Sequence, residues 1–498
     1  MKNIISFILF SAFIIIIFPG CEDEVNNPVP PIDETNNGFE KYEVAEIFVN
    51  NCALSGCHGG TNPQHGLSLA SHQGLMKGSI GRPLDSTHSH GKISMSGNDN
   101  GVYGGEVVIP FNAERSLLYN LITWNVEDPA HRMPYMRNKL TDTQIQTIKD
   151  WINSGAKDNS GNVPFSGTDK AYVCSQGDDM IYEIDMAAKV VSGIIDVNLN
   201  AAGLDQPHNI QIRDNILYVT LISSGYFLKI DRTTKQVISQ TSGLQVPGMI
   251  QISPDGSTAY VSRSSSAASI YNSIYEINTA TMQVTGEIIL PVTGLPHAIA
   301  LSSDGSTLYV ANMSRDRISI VNTSTKEVQD EILLSTGSLI EHEPMHIYLS
   351  PDNNYLYINC RTSSKMLIMD TGTKTIISQL DIKHHPMQMG VSSDGNKLFV
   401  VSHHEPFITT IDKNGASWTI SKEYGSTAFH HLYGADLSSD GRYLFASCAN
   451  NDAEDYFIPH YVITGRDRTS LLCIYDTQTE ELVKILDIGK NATGVAAR

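Results

Sequence analysis

SPDGSTAYVS, residues 253–262, couples a tight turn to a short alternating strand, and its recurrence decides the fold. Asp255-Gly256 supports the positive backbone dihedrals of a tight hairpin between two strands, and Ala-Tyr-Val then alternates as a half-buried strand does. The pattern returns as SSDGSTLYVA (302–311), SPDNNYLYIN (350–359), SSDGNKLFVV (392–401) and SSDGRYLFAS (438–447). Degenerate copies precede it in TDKAYVC and RDNILYV. The turn aspartates are Asp169, Asp214, Asp255, Asp304, Asp352, Asp394 and Asp440, which makes seven units. In each, a third strand ends in Asp or Asn before a second, usually Thr-rich turn, as in LKIDRTTK and LIMDTGTK. A fourth, edge strand closes each copy.

Four strands per copy at this period resemble a β-propeller of the YVTN type, so residues 165–498 are expected to form seven blades. The first copy begins at its second strand, KAYVCS, and the chain ends in ATGVAAR, which matches an innermost strand such as HAIALSSD. The closing blade is thus expected to take one strand from the end of the chain and three from the start.

Outward from the repeats toward the N-terminus, the texture changes. NNCALSGCHGG, residues 50–60, places Cys52 and Cys57 four residues apart with His58 directly after. Covalent haem attachment needs two thiols along one porphyrin edge and an imidazole that falls beneath the iron. Two residues more than the common C-x-x-C-H spacing can bulge outward at Ser55-Gly56 without moving the anchors. YEVAEIFVNN before it, SLLYNLITW (116–124) and LTDTQIQTIKDWINSGA (140–156) all carry helical periodicity. Thr141 with Gln144 forms a capping box, and Gly155 stands at a helix stop. With HRMPYM between the last two helices, residues 41–160 resemble a small c-type cytochrome domain of the wider-loop kind. That resemblance implies one covalent haem c on Cys52 and Cys57, with His58 and Met133 as axial ligands to the iron. Met136, Met95, His65, His72, His88, His90 and His131 stay open as rivals to Met133, and a Cys52–Cys57 disulfide stays open as an alternative to the haem.

Lys2 followed by the apolar run Ile4–Phe18 reads as an export signal, residues 1–20. Gly20-Cys21 resembles a bacterial lipobox, which implies lipidation at Cys21 and a tether through 21–40 that is rich in Pro, Asn and acidic residues. The expected location is periplasmic or on the cell surface, outer membrane included, with the membrane reached through lipid.

The expected architecture is therefore a small all-α cytochrome c-like domain followed by an all-β seven-bladed propeller. A net charge of -19 without any basic run excludes a nucleic-acid partner. The positions at the start of the innermost strands are rich in histidine: His208, His297, His346, His384, His385, His430 and His431, with His403 and His404 from a loop after a second strand. Such positions gather at one mouth of the central channel, where His208, His297, His346, His385, His430 and His431 could hold an additional metal. Three functions stay open: electron transfer to an unidentified redox partner protein with the propeller as docking module, an oxidoreductase with a metal or second cofactor at the mouth, and a non-redox scaffold or adhesion lipoprotein. Cys174, Cys360, Cys448 and Cys473 are expected to be buried and inert.

Overall fold

The computed structural model describes residues 38–79, 105–126, 129–264, 271–337, 340–426, 429–449 and 470–497. The signal segment 1–20, Cys21, almost all of the tether, and His88, His90 and Met95 lie outside the described residues.

From Lys170 onward the chain forms strands β1–β28, arranged as seven four-stranded antiparallel sheets around a ring. Blade I combines β28 (Ala492–Ala496) with β1 (Lys170–Ser175), β2 (Met180–Asp185) and β3 (Val190–Asp196). Blades II to VII follow as β4–β7 (207–241), β8–β11 (247–294), β12–β15 (296–333), β16–β19 (344–381), β20–β23 (386–425) and β24–β27 (432–488). The ring closes as the repeat phase requires: Val495 pairs with Val173, so the last strand is the innermost strand of the blade that the first strands begin.

The turn is tight, but of the Asp255-Gly256 pair only Gly256 takes a positive φ; its amide bonds the Ser253 carbonyl at 2.8 Å, and the strands pair from Ile252 and Ala259 onward. Ser253 Oγ donates to Asp255 Oδ1 at 2.6 Å, and the Ser257 amide donates to the same oxygen at 3.0 Å. The same geometry recurs around Asp304, Asp352, Asp394 and Asp440. These donors favour the ionised carboxylate and hold Asp255 and Asp304 down at about 2. Gly256 takes φ 76°, and at the corresponding site of blade V Asn353 takes φ 59°, the left-handed conformation that Asn tolerates better than most residues.

Side chains of neighbouring sheets interdigitate, so each apolar cluster bridges two or more blades. Tyr172, Cys174 and Ile181 of blade I pack with Ile210, Leu217 and Leu228 of blade II. Cys174, Cys360, Cys448 and Cys473 are fully buried, as expected of small apolar fillers, and the Cys448 and Cys473 sulfurs lie 3.6 Å apart.

The described residues before Lys170 hold four α-helices: α1 (Val44–Asn51), α2 (His72–Lys77), α3 (Leu117–Thr123) and α4 (Asp142–Asn153). Val44, Ile47 and Phe48 bury one stripe of α1. Both arms of the Thr141/Gln144 capping box form at the start of α4, and Gly155, at φ 109°, follows its end. Trp151 is fully buried, 5.5 Å from Phe39 in an edge contact, and anchors a core that also takes in Phe48, Leu75, Leu118 and Ile148.

This helical unit sits against blades I and VII. Ile109 is buried in the apolar cluster those blades share. Arg115 Nη1 bonds Asp178 Oδ2 at 3.1 Å, in the turn between β1 and β2, and the buried Glu106 carboxyl lies in the field of Lys484 on β27. Among the described residues no helix is long and apolar enough to cross a membrane.

Candidate functional site

Two sites emerge, one in the helical unit and one at the propeller mouth. In the first, α1 ends at Cys52, whose amide bonds the Phe48 carbonyl at 2.7 Å, and the chain turns back so that the His58 amide reaches the Cys52 carbonyl at 3.1 Å. Gly56, at φ 78°, makes the outward bulge expected there. Gly59 admits no side chain, since a Cβ would stand 2.0 Å from the Ala53 carbonyl oxygen. The turn therefore delivers Cys52, Cys57 and His58 as one compact group. Burial pushes the Cys52 thiol up to about 12, which keeps it protonated.

The His58 ring is oriented from behind. Its Nδ1 lies 3.2 Å from the Leu67 carbonyl oxygen. A carbonyl only accepts, so Nδ1 carries the proton and the neutral ring keeps its lone pair on Nε2, the arrangement that metal-ligating histidines use. Burial, working against the Leu67 and Gln64 carbonyls, lowers the pKa of the ring and favours that neutral form.

On the sulfur side the picture is split. Cys52 is a free thiol, whereas Cys57 is disulfide-bonded. The small-loop Cys52–Cys57 disulfide, left open by the sequence, does not form. Met133 packs against the core that contains Cys52; its carbonyl accepts from Trp124 Nε1 at 2.9 Å. Of its rivals, Met136 is 73% exposed, His65 is exposed, and His72 spends Nε2 on the Ala156 carbonyl at 2.8 Å. Met76, which periodicity alone did not mark, is buried in the same core and is a second thioether there.

At the propeller mouth the six histidines expected to act together divide into two groups. His208, His297 and His346 stand near the starts of β4 (Pro207–Arg213), β12 (Pro296–Leu301) and β16 (Pro344–Leu349). His208 Nδ1 pairs with the Gln176 amide at 2.8 Å, and His297 Nδ1 with the Met345 carbonyl at 2.9 Å. The His208 and His297 rings are 6.0 Å apart, and the Tyr433 ring is 6.4 Å from His208. Desolvation drives the three imidazoles to about 3, 4 and 3 respectively and lifts the Tyr433 phenol to about 12. His208 Nε2 and His346 Nδ1 are buried without a hydrogen-bond partner.

The second group sits where blades VI and VII meet. His385 joins His404 at a ring separation of 4.0 Å and His384 at 4.3 Å, while His403 stacks on His431 at 4.4 Å with the planes 3° apart. His430 lies 4.3 Å from His431. Potential ligand nitrogens of His385, His403 and His404 all fall within 4.8 Å of one another. His403 and His404 come from the loop after β21 (Lys397–Ser402); the sequence marks both as mouth histidines, but neither is among the six it assigns to a metal. The available signal was the His-His pair recurring at three places in the repeat register.

Comparison with known proteins agrees with the ring. No protein-family model matches the chain. Antigen Lp49 of Leptospira interrogans is 26% identical over 209 residues, covering 38% of this chain and 43% of that protein. The seven-bladed β-propeller protein Rv1057 of Mycobacterium tuberculosis is 32% identical over 111 residues, covering 22% of this chain and 25% of its own. The chain thus spans less than half the length of the curated relatives it matches. A crystal structure of a Lactobacillus plantarum protein superposes with a TM-score of 0.52 at 14% identity over 66% of this chain and 98% of that one, a likeness of fold. The chain is a seven-bladed β-propeller with a helical unit before it.

Proposed function

We propose that this chain is an exported, lipid-anchored monohaem c-type cytochrome that passes single electrons, with the propeller as the module that docks its redox partner. One observation carries the reading: His58 directly follows Cys57, is desolvated, and spends its Nδ1 proton on the Leu67 carbonyl, which leaves Nε2 as a lone-pair donor. Cys52 and Cys57 would hold the macrocycle, and His58 and Met133 its iron; the haem would supply one-electron iron chemistry. Of the chain's own residues, Leu67 would orient the His58 ring through its carbonyl, and Cys52 would present its thiol from the edge of the apolar core. Thioether formation at Cys57 and the Cys57 disulfide use one sulfur and exclude each other. The similarity to a Leptospira antigen supports export.

The test is a reduced-minus-oxidised spectrum of protein produced with a haem-maturation system, together with a haem stain after denaturing electrophoresis. A stained band and the spectrum of a low-spin haem support the reading, and Met133→Ala then removes the thioether-ligand signature while the stain persists. A colourless, unstained protein leaves the scaffold reading.

A further inference from the structure

A hydrogen-bond clip repeats seven times around the mouth of the ring. In every blade the residue just before the innermost strand accepts, through its carbonyl, from the amide of the residue just after the second strand. The pairs are Asn491/Gln176, Gln206/Ile222, Val246/Ser264, Leu295/Met313, Glu343/Arg361, His385/His403 and His431/Ala449, at 2.9–3.0 Å. The accepting residue is left-handed in six of the seven, with φ between 48° and 59°, a conformation that persists only where the surroundings dictate it. The clip thus fixes two side chains next to each other on a rigid frame.

Where both side chains are polar, they complement each other. In blade I Asn491 Nδ2 donates to Gln176 Oε1 at 3.1 Å, and in blade V Arg361 Nη2 meets Glu343 Oε1 at 3.2 Å. Blade VI breaks this rule: both positions are histidine, two groups of the same kind. His404, the next residue, adds a third imidazole, and His431, the clip residue of blade VII, backs His403 by ring stacking. Neutral imidazoles held side by side can turn their lone pairs to one shared cation.

We propose that His385, His403 and His404 form a binding site for one divalent late transition-metal ion of the Zn2+ or Cu2+ class. Imidazole donors select these ions over Mg2+ and Ca2+, which demand oxygen ligands. Nitrogens on a tetrahedral zinc stand about 3.4 Å apart. The three nitrogens, within 4.8 Å of one another, close around the ion by side-chain rotation of about an ångström, with the clipped backbone unmoved. This site belongs to the propeller and does not rest on the haem reading.

The test uses the full chain without an added histidine tag, titrated with Zn2+ alone by equilibrium dialysis and metal analysis. One equivalent is expected, and its affinity should fall by about a hundredfold or more in His385→Ala and in His403→Ala, beyond what losing an outer hydrogen-bond partner costs. His342→Ala, whose Nδ1 faces Ser363 Oγ at 2.9 Å outside the cluster, should bind as the parent does. A measurement on the unaltered protein guards against misfolded variants: Zn2+ should shield His385, His403 and His404 from acylation by diethyl pyrocarbonate, read residue by residue by mass spectrometry. No stoichiometric binding, equal affinity in all the variants, or protection located on other histidines would overturn the proposal.

Discussion

Mild acid should destabilise this ring through three histidines that the fold keeps neutral. His208, His297 and His346 titrate at about 3, 4 and 3 in the native protein because burial penalises their charged forms, whereas an unfolded imidazole titrates near 6.5. Between those values the unfolded chain binds protons that the native chain refuses, so stability falls as pH drops below about 6.5 and goes on falling to about 4. At pH 5 each unfolded imidazole carries nearly a full proton and each native one almost none. Linkage then gives about 2 kcal/mol per residue, on the order of 5 kcal/mol for the three on going from pH 7 to pH 5. That is a large part of the roughly 5–15 kcal/mol that holds a typical domain folded. The assay is urea unfolding at pH 7, 6 and 5 on the parent and on the triple variant His208→Gln, His297→Gln, His346→Gln. The parent should lose about 5 kcal/mol more than the variant over that interval, at unchanged m-value. Equal pH slopes in the two proteins would mean that the three rings are solvated or paired in their charged forms and not held neutral by burial.

Other consequences follow from single contacts. Lys170 and Asp185 form an ion pair at 2.8 Å with both side chains almost wholly buried, so Lys170→Ala leaves an uncompensated carboxylate and should cost about 3–5 kcal/mol by urea denaturation. Ending the chain after Gly489 removes β28 and opens the ring at β1; calorimetry should show a loss on the order of 5 kcal/mol and, from the exposed strand edges, a tendency to associate. Arg115→Ala cuts the partly buried bridge to Asp178 between the helical unit and blade I; a change of about 1 kcal/mol is expected, since Ile109 still seals the same contact.

Much of the propeller is written in local chemistry. A turn aspartate bonded to its own neighbours, a residue with positive φ beside it and an alternating strand are all short-range features, so Asp255, Gly256 and Tyr260 announce the blade without any long-range contact. Ring closure was legible because ATGVAAR repeats the innermost-strand pattern out of phase. In the helical unit the capping box of α4 and the buried stripe of α1 were legible for the same reason. The Leu67 carbonyl behind His58 was not, because it is contributed by an irregular segment nine residues away. Nor could the sequence sort the mouth histidines. Whether two of them meet depends on which blades adjoin and on which face a loop emerges, and His403 and His404 reach His385 only because the turn after a second strand opens on the same side as the start of the innermost one.

The proposed haem on Cys52 and Cys57, with His58 on its iron, leaves a chemical mark on each sulfur. Its most direct measurement is intact and peptide mass spectrometry of the matured protein, which reads the chemical state of each sulfur. A single haem added to one peptide that contains Cys52, Cys57 and His58 is expected, with neither thiol alkylatable. Recovery of that peptide without haem, Cys52 alkylatable and Cys57 still in its disulfide, would contradict it.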